Sequence, residues 1–339
     1  MAYTALANII AHDAFAQYFN RAMLDRSLLI KSGIAASDPV IAQKCAEAGF
    51  GGNFVSLPFF NALSTADGEQ RLDESDLVPS NVTTGEDVAV IIRRGKAFGS
   101  NDIAADVAGA DPMRVVAEQL ADYWNARNQK RLMSVLKGVF ARNVSNDNSD
   151  LVLDISGEQG QAAVLNKDTL LLAAQLLGDH KLDLTAIACN SMVDTFLSAL
   201  DTNASLYRAS EGAATLPKYN GRDIIVDDNC SYDPETKKAE IFLFGRGAVA
   251  YNPCPVKVPF EAGRNQLKAG GQDFIVSRIA NICHLRGYKW AVTDTNPYNA
   301  DSDRPSGNQT KTLENAASWS RVYSAKEIRC VKLVCKLAA

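Results

Sequence analysis

The chain has 339 residues, 47% hydrophobic and 22% charged, a balance that supports a buried core and gives a prior of about two domains. With 35 Lys and Arg against 39 Asp and Glu the net charge is −4, which sets it apart from dedicated nucleic-acid binders and their basic excess. No Lys or Arg precedes Arg21, no h-region precedes a cleavage site, and no run of about 18 apolar residues occurs, so neither a signal peptide nor a membrane span is expected.

The first 50 residues carry four acids and four bases. Residues 5–20 suit a loosely amphipathic helix, and the pattern breaks at Ser32-Gly33 and Asp38-Pro39. Too few apolar residues are present to close a core, so 1–53 reads as an arm. Two apolar strands follow, Phe54-Val-Ser-Leu-Pro-Phe-Phe60 and Val88-Ala-Val-Ile-Ile92. Between them lie 27 residues, 61–87, with seven acids and one base, Arg71. A connection this long is uncommon inside a compact domain, which predicts a projecting hairpin over 54–100 that lies on a neighbouring molecule.

Asp111-Pro112 opens the clearest helix, with Asp111 as N-cap and Pro112 at the first helical position. Met113, Val116, Ala117, Leu120 and Trp124 recur at helical spacing, then Leu132, Val135, Leu136, Val139 and Phe140, with a polar stretch from 125 to 131 between them. The run from 112 to 140 would be about 43 Å long, a spine rather than one layer of a bundle. Beyond a turn-rich break at 143–149 the pattern is mixed: a strand over 151–155, a helix capped by Asn166 and stopping at Gly178, and a strand over 182–189. Ser191-Met-Val-Asp194 resembles a capping box opening a second helix, and strands follow over 223–226 and 239–244. The last 70 residues suggest a long strand over 273–284, an interruption at Gly287, a strand over 288–292, a short helix near Leu313 and a final strand over 328–337.

The seven cysteines are an odd number, widely spaced, and read as reduced thiols acting as small core hydrophobes. Cys330 and Cys335, five apart on a strand, point to opposite faces and could not share a metal. The three histidines, His12, His180 and His284, are scattered. The acidic loop 294–303 fails the EF-hand pattern, and no Walker A, dinucleotide-binding or nucleophile-elbow motif occurs. No catalytic, metal or cofactor constellation is legible.

Ordered local phrases complete the reading: Lys31-Ser-Gly-Ile34, Asn53-Phe-Val-Ser-Leu-Pro58, Arg94-Gly-Lys-Ala97, Gly109-Ala-Asp-Pro-Met113, Tyr123-Trp124 and Leu136-Lys-Gly-Val-Phe-Ala141. Tyr219-Asn-Gly-Arg-Asp-Ile-Ile-Val-Asp-Asp228, Leu243-Phe-Gly-Arg-Gly-Ala248 and His284-Leu-Arg-Gly-Tyr288 continue the series, with Leu285 where members often have proline. Together they resemble the major capsid (coat) proteins of tailed phages and prophages. The resemblance implies an α+β capsid fold of the Hong Kong-phage type: an N-terminal arm (1–53), an E-loop hairpin (54–100), a peripheral domain with the spine helix (101–165), an axial domain (166–270), and returning strands of both domains (271–339). It implies a non-enzymatic shell protein of the virion, made in the bacterial cytoplasm, that assembles as pentamers and hexamers around double-stranded DNA without reading its sequence. Its other partners would be the portal and, since arm-like sequence starts at Met1, a separate scaffolding protein; no cofactor is implied.

Some relatives join subunits through a hairpin lysine and a neighbour's asparagine. No lysine occurs between Lys44 and Lys96, so a shell without that cross-link is expected. The hairpin residues Glu69, Arg71, Asp73, Glu74 and Asp76 are instead candidates for inter-subunit contact, with Arg127, Lys130 and Arg131 of the spine as the basic counterpart; a solvated surface on both sides is the alternative. Three other readings stay open here: an encapsulin-type compartment, a cytosolic α+β enzyme with an unrecognised site, and a tail-tube subunit.

Overall fold

The structure, a computed structural model, describes residues 34–47, 54–63, 81–108, 112–200, 206–207, 217–268, 270–291 and 313–338. In chain order the elements are β1 (Ala35–Ala36), α1 (Pro39–Glu47), β2 (Phe54–Phe60), β3 (Thr84–Asn101), α2 (Asp102–Ala108), α3 (Pro112–Asn146), β4 (Val152–Asp154), α4 (Lys167–Gln175), β5 (Leu184–Cys189) and α5 (Ser191–Leu200). There follow β6 (Leu206–Tyr207), β7 (Lys218–Tyr219), β8 (Arg222–Val226), β9 (Tyr232–Asp233), β10 (Lys238–Gly245), β11 (Val249–Cys254), β12 (Phe260–Asn265), β13 (Gln272–Leu285), β14 (Tyr288–Trp290), β15 (Trp319–Arg321) and β16 (Cys330–Lys336).

Two sheets organise the molecule. The first runs β1-β11-β13-β3-β2, with β12 also on β13. The second runs β4-β16-β10-β5-β8-β7-β6, with β9 on β10. Strands β11 and β12 lie in the hairpin's sheet, while the C-terminal β16 lies in the other, between its edge strand β4 and β10.

The apolar run Val88-Ala-Val-Ile-Ile92 is continuous because both faces of β3 are covered. Val90 and Ile92 enter the main core, which also takes Leu132, Val135, Leu136, Val139 and Phe140 of the spine and Phe242, Phe244, Val331 and Leu333 of the second sheet. Ala89 and Ile91 point the other way, into a smaller core with Ile41, Cys45, Val55, Ala250, Ala280 and Ile282. The arm and hairpin, expected to lie outside any core, therefore contribute to both. Helix α1 brings Ile41 and Cys45 into a core that residues of β2, β3, β11 and β13 complete. Only the hairpin's far end, 64–80, lies outside the described residues, as do most of the arm and Asp111.

The spine, at 35 residues, is longer than the sequence stripes suggested and would extend about 52 Å. Its last turn is held by polar bonds. Asn143, fully buried, donates to Asp150 at 2.7 Å and to the Tyr288 hydroxyl at 3.1 Å, and accepts from the Leu151 amide. Asn166 caps α4 as expected, in a reciprocal box with Thr169. Three local expectations are corrected. Asn190, not Ser191, accepts from the start of α5, while Asp228 accepts from the Ser191 amide. Residues 178–183 form a 3-10 turn, so the next strand begins at Leu184. The helix expected near Leu313 is a single 3-10 turn, Ala316–Ser318, capped by Asn315.

A further correction concerns the cysteines. Cys45 of α1 and Cys254 of β11, 209 residues apart, are joined as a disulfide, with Cα atoms 5.6 Å apart. The other five, Cys189, Cys230, Cys283, Cys330 and Cys335, are free and buried.

Candidate assembly surface

Two features determine what this chain presents to a neighbour: the root of the β2–β3 hairpin and the polar stretch of the spine. The root is clamped at Asp87, which the sequence counted among the acids of the projecting segment. It is instead buried, accepting from His284 Nε2 at 3.0 Å and from the Gly287 amide at 3.3 Å, with both side chains at 3% exposure or less. Burial alone would raise the Asp87 carboxyl. The charge and hydrogen bond of His284, with the Gly287 and Val88 amides, outweigh it and hold the carboxyl below its ordinary range. Gly287 takes φ +92, a backbone conformation that L side chains rarely adopt. β2 then pairs with β3 from Phe54↔Val90 to Phe60↔Thr84, carrying the strands outward. Phe60, Leu63 and Val82 are exposed there.

The spine stretch 125–131 is the polar interval between the two apolar stripes. It is largely buried, and its polar side chains tie the two sheets to the helix. Asn128 donates to the Tyr251 hydroxyl at 2.8 Å and accepts from Asn281 at 2.8 Å and from Arg131 Nη1 at 2.7 Å. Gln129 donates to Asp227, and the Trp124 indole donates to Ser277. An unbonded polar group at such depth costs about 1–3 kcal/mol, so these bonds fix the helix's rotation.

The structure separates the three spine cations. Lys130 is exposed, Arg127 is half-buried, and Arg131 is buried with its guanidinium over the Trp124 ring. Arg94 of β3 joins them, a residue that sequence reasoning passed over because it follows an apolar strand. Burial, and then the neighbouring Arg94 and Arg127, push Arg131 down to about 10; burial and Arg127 do the same to Arg94. Both remain cationic at neutral pH, so Arg94, Arg127 and Arg131 bring three like charges together where β3 meets the spine. The candidate counterparts Glu69, Arg71, Asp73, Glu74 and Asp76 lie outside the described residues. Among the described residues, no three His, Cys, Asp or Glu side chains converge as a metal would require, and no helix is long and apolar enough to cross a membrane.

Comparison with solved structures defines the class. The fold matches the capsid of Ralstonia phage GP4 with TM-score 0.58 over 96% of both chains, at 11% identity. It matches the capsid asymmetric unit of cyanophage Pam1 with TM-score 0.53 over 98% of both, at 10% identity. A native gene-transfer-agent (GTA) capsid gives 0.52 over 81% of this chain and 92% of that one, at 10% identity. This is the α+β fold of tailed-phage capsids. No family model matches the sequence. The major capsid protein of Bacillus phage SPP1, however, is 34% identical over 348 residues, covering 100% of each chain. The chain belongs to the family of phage major capsid proteins, and its role is structural.

Proposed function

We propose that this chain self-assembles into the icosahedral head shell of a tailed phage or prophage, as pentamers and hexamers enclosing double-stranded DNA. The full-length likeness to a phage major capsid protein carries this reading, and it favours a DNA-holding shell over an encapsulin-type compartment or an enzyme. Assembly takes place in the host cytoplasm with a separate scaffolding protein and a portal. The net charge of −4 suits a wall that packed DNA must slide along, since tight phosphate binding would hinder loading and release. On this reading 1–53 is the arm, 54–100 the E-loop, 101–165 the peripheral domain, 166–270 the axial domain and 271–339 the returning strands.

The hairpin acids Glu69, Asp73, Glu74 and Asp76, with Arg71 among them, pair with the patch that a neighbour presents through Arg127 and Lys130, backed by buried Arg131. Each exposed pair contributes only about 0–1 kcal/mol, but the contact repeats at every subunit of the shell. Reversing all four acids to lysine is expected to lower the yield of sedimenting particles at least tenfold while leaving the subunit's circular dichroism and melting temperature unchanged. Arg127→Glu with Lys130→Glu should restore part of that yield. Wild-type yields from the four-lysine variant would refute the pairing.

A further inference from the structure

The Cys45–Cys254 bond joins two parts of the fold that are already held together without it. β1 pairs in parallel with β11. Asn252 brackets Asp38, accepting from its amide at 3.1 Å and donating to its carbonyl at 2.8 Å. Arg286 reaches the Asp38 carboxylate at 2.7 Å, and Lys44 donates to the Ser56 carbonyl at the root of the hairpin. Helix α1 is thus seated over β2 and β11 by non-covalent contacts, which hold the two cysteine Cα atoms 5.6 Å apart, within the range of about 4.4–6.8 Å that a disulfide requires.

Access to the pair is one-sided. Cys45 is 1% exposed, inside the small core. Cys254 is half-buried and lines a cleft of about 440 Å³ together with Pro253, Pro255, Val256 and Arg278. A small reagent can therefore reach the bond from the Cys254 side. The remaining thiols do not compete. Burial pushes Cys189, Cys283 and Cys335 up to about 12 and raises Cys230 and Cys330 well above the ordinary thiol range, so they supply little thiolate for exchange.

We propose that Cys45 and Cys254 form a redox lock on the arm, open as two thiols in the newly made subunit and closed once the particle meets an oxidising medium. The closing oxidant is a low-molecular-weight disulfide such as oxidised glutathione. The Cys254 thiolate attacks it and releases one thiol. The Cys45 thiolate then attacks the mixed disulfide at the Cys254 sulfur and releases the second. One external disulfide is reduced to two thiols while the two cysteines are oxidised to one bond, and their two protons pass to the released thiolates. The timing rests on the cytoplasmic assembly proposed above, where thiols stay reduced. Because α1 is seated with or without the bond, the lock acts on resistance to unfolding, by closing a 209-residue separation in the unfolded chain, and not on assembly.

The test incubates the purified chain in reduced and then in oxidised glutathione, denatures it, alkylates it with N-ethylmaleimide and counts adducts by intact mass. Seven adducts are expected from the reduced chain and five from the oxidised one, with a Cys45–Cys254 linked peptide. The oxidised chain should show an equilibrium constant for unfolding at least tenfold smaller, read from its guanidinium midpoint; dithiothreitol should abolish the difference, and Cys254→Ser should show none. Seven adducts after oxidation, a link through another cysteine, or an unchanged midpoint would overturn the lock. Sedimentation of the chain co-produced with a scaffolding protein reports separately on shell formation, so a chain that locks but never forms particles even then refutes the proposed function and not the lock.

Discussion

Replacing Gly138 by alanine is expected to destabilise the subunit by about 3 kcal/mol, even though alanine favours an isolated helix by about 1 kcal/mol over glycine. The sign follows from how closely the spine approaches the segment 313–319. A Cβ at position 138 would overlap the Leu313 carbonyl oxygen and lie 2.6 Å from the Trp319 indole nitrogen. Those two groups are bonded to each other, Trp319 Nε1 donating to the Leu313 carbonyl at 2.8 Å. Trp319 is fully buried and meets Trp290 edge-on at 5.1 Å. The added methyl must therefore push the spine away from the C-terminal segment or break that hydrogen bond. Urea unfolding of the subunit measures the effect, and a neutral or stabilising result would mean that the spine does not lie against 313–319 as described.

Asp87→Ala is expected to cost about 3 kcal/mol, because it leaves the His284 imidazole buried without its partner. Asp87→Asn, which keeps an acceptor for His284 Nε2, should cost clearly less. The pH dependence follows from the depressed carboxyl. A group whose folded pKa lies below its unfolded value contributes stability that is fully present above the unfolded value, 3.8, and is lost as pH falls through the lower folded value. Wild-type stability should thus fall as pH drops below about 4, and Asp87→Asn should flatten that part of the curve. Because Asp87 and His284 join the hairpin root to the end of β13, acid should loosen this joint; hydrogen exchange at the Val88 and Gly287 amides would report it. Protection factors at these amides that stay unchanged down the whole acid limb, after the intrinsic pH dependence of exchange is removed, would count against this role.

Both sites show which parts of the fold the sequence could disclose. Elements with a strong local pattern were legible: the strand at 54–60, the spine from Pro112, the Asn166 cap and the long strand at 273–284. β11 and β12 were not. Pro253 lies within the first and Pro255 directly follows it, and the second, Phe260-Glu-Ala-Gly-Arg-Asn265, is an edge strand with too little apolar character to stand out. β3 was cut short at Ile92 because Arg93 to Asn101 are mostly polar, and what makes these nine residues a strand is their continuous pairing with β13. Asp87 with His284, Cys45 with Cys254 and the close approach at Gly138 each depend on a partner about 175 to 210 residues away, which no local pattern encodes.

On the candidate surface the charges were legible and their depth was not. Arg127, Lys130 and Arg131 look equivalent as letters, yet a single residue step, about 100° of helix, carries the chain from exposed Lys130 to buried Arg131. Helical rotation against β11 and β13 decides this, and the buried hydrogen bonds of Asn128 and Gln129 set that rotation. The family phrases were informative because several sit at structural joints. Asn220-Gly221 forms a turn with both residues at positive φ, 49 and 78, between β7 and β8. Gly138 lies in Leu136-Lys-Gly-Val-Phe-Ala141, and His284 opens His284-Leu-Arg-Gly-Tyr288.

The central claim is that this chain builds a closed shell. Electron microscopy of particles purified through a tag on this chain, co-produced with a scaffolding protein, tests it most directly. The account expects closed icosahedral particles whose reconstruction resolves pentamers and hexamers, with the β2–β3 hairpin of each subunit lying over the spine of its neighbour. A uniform small oligomer, or long tubes, would contradict it.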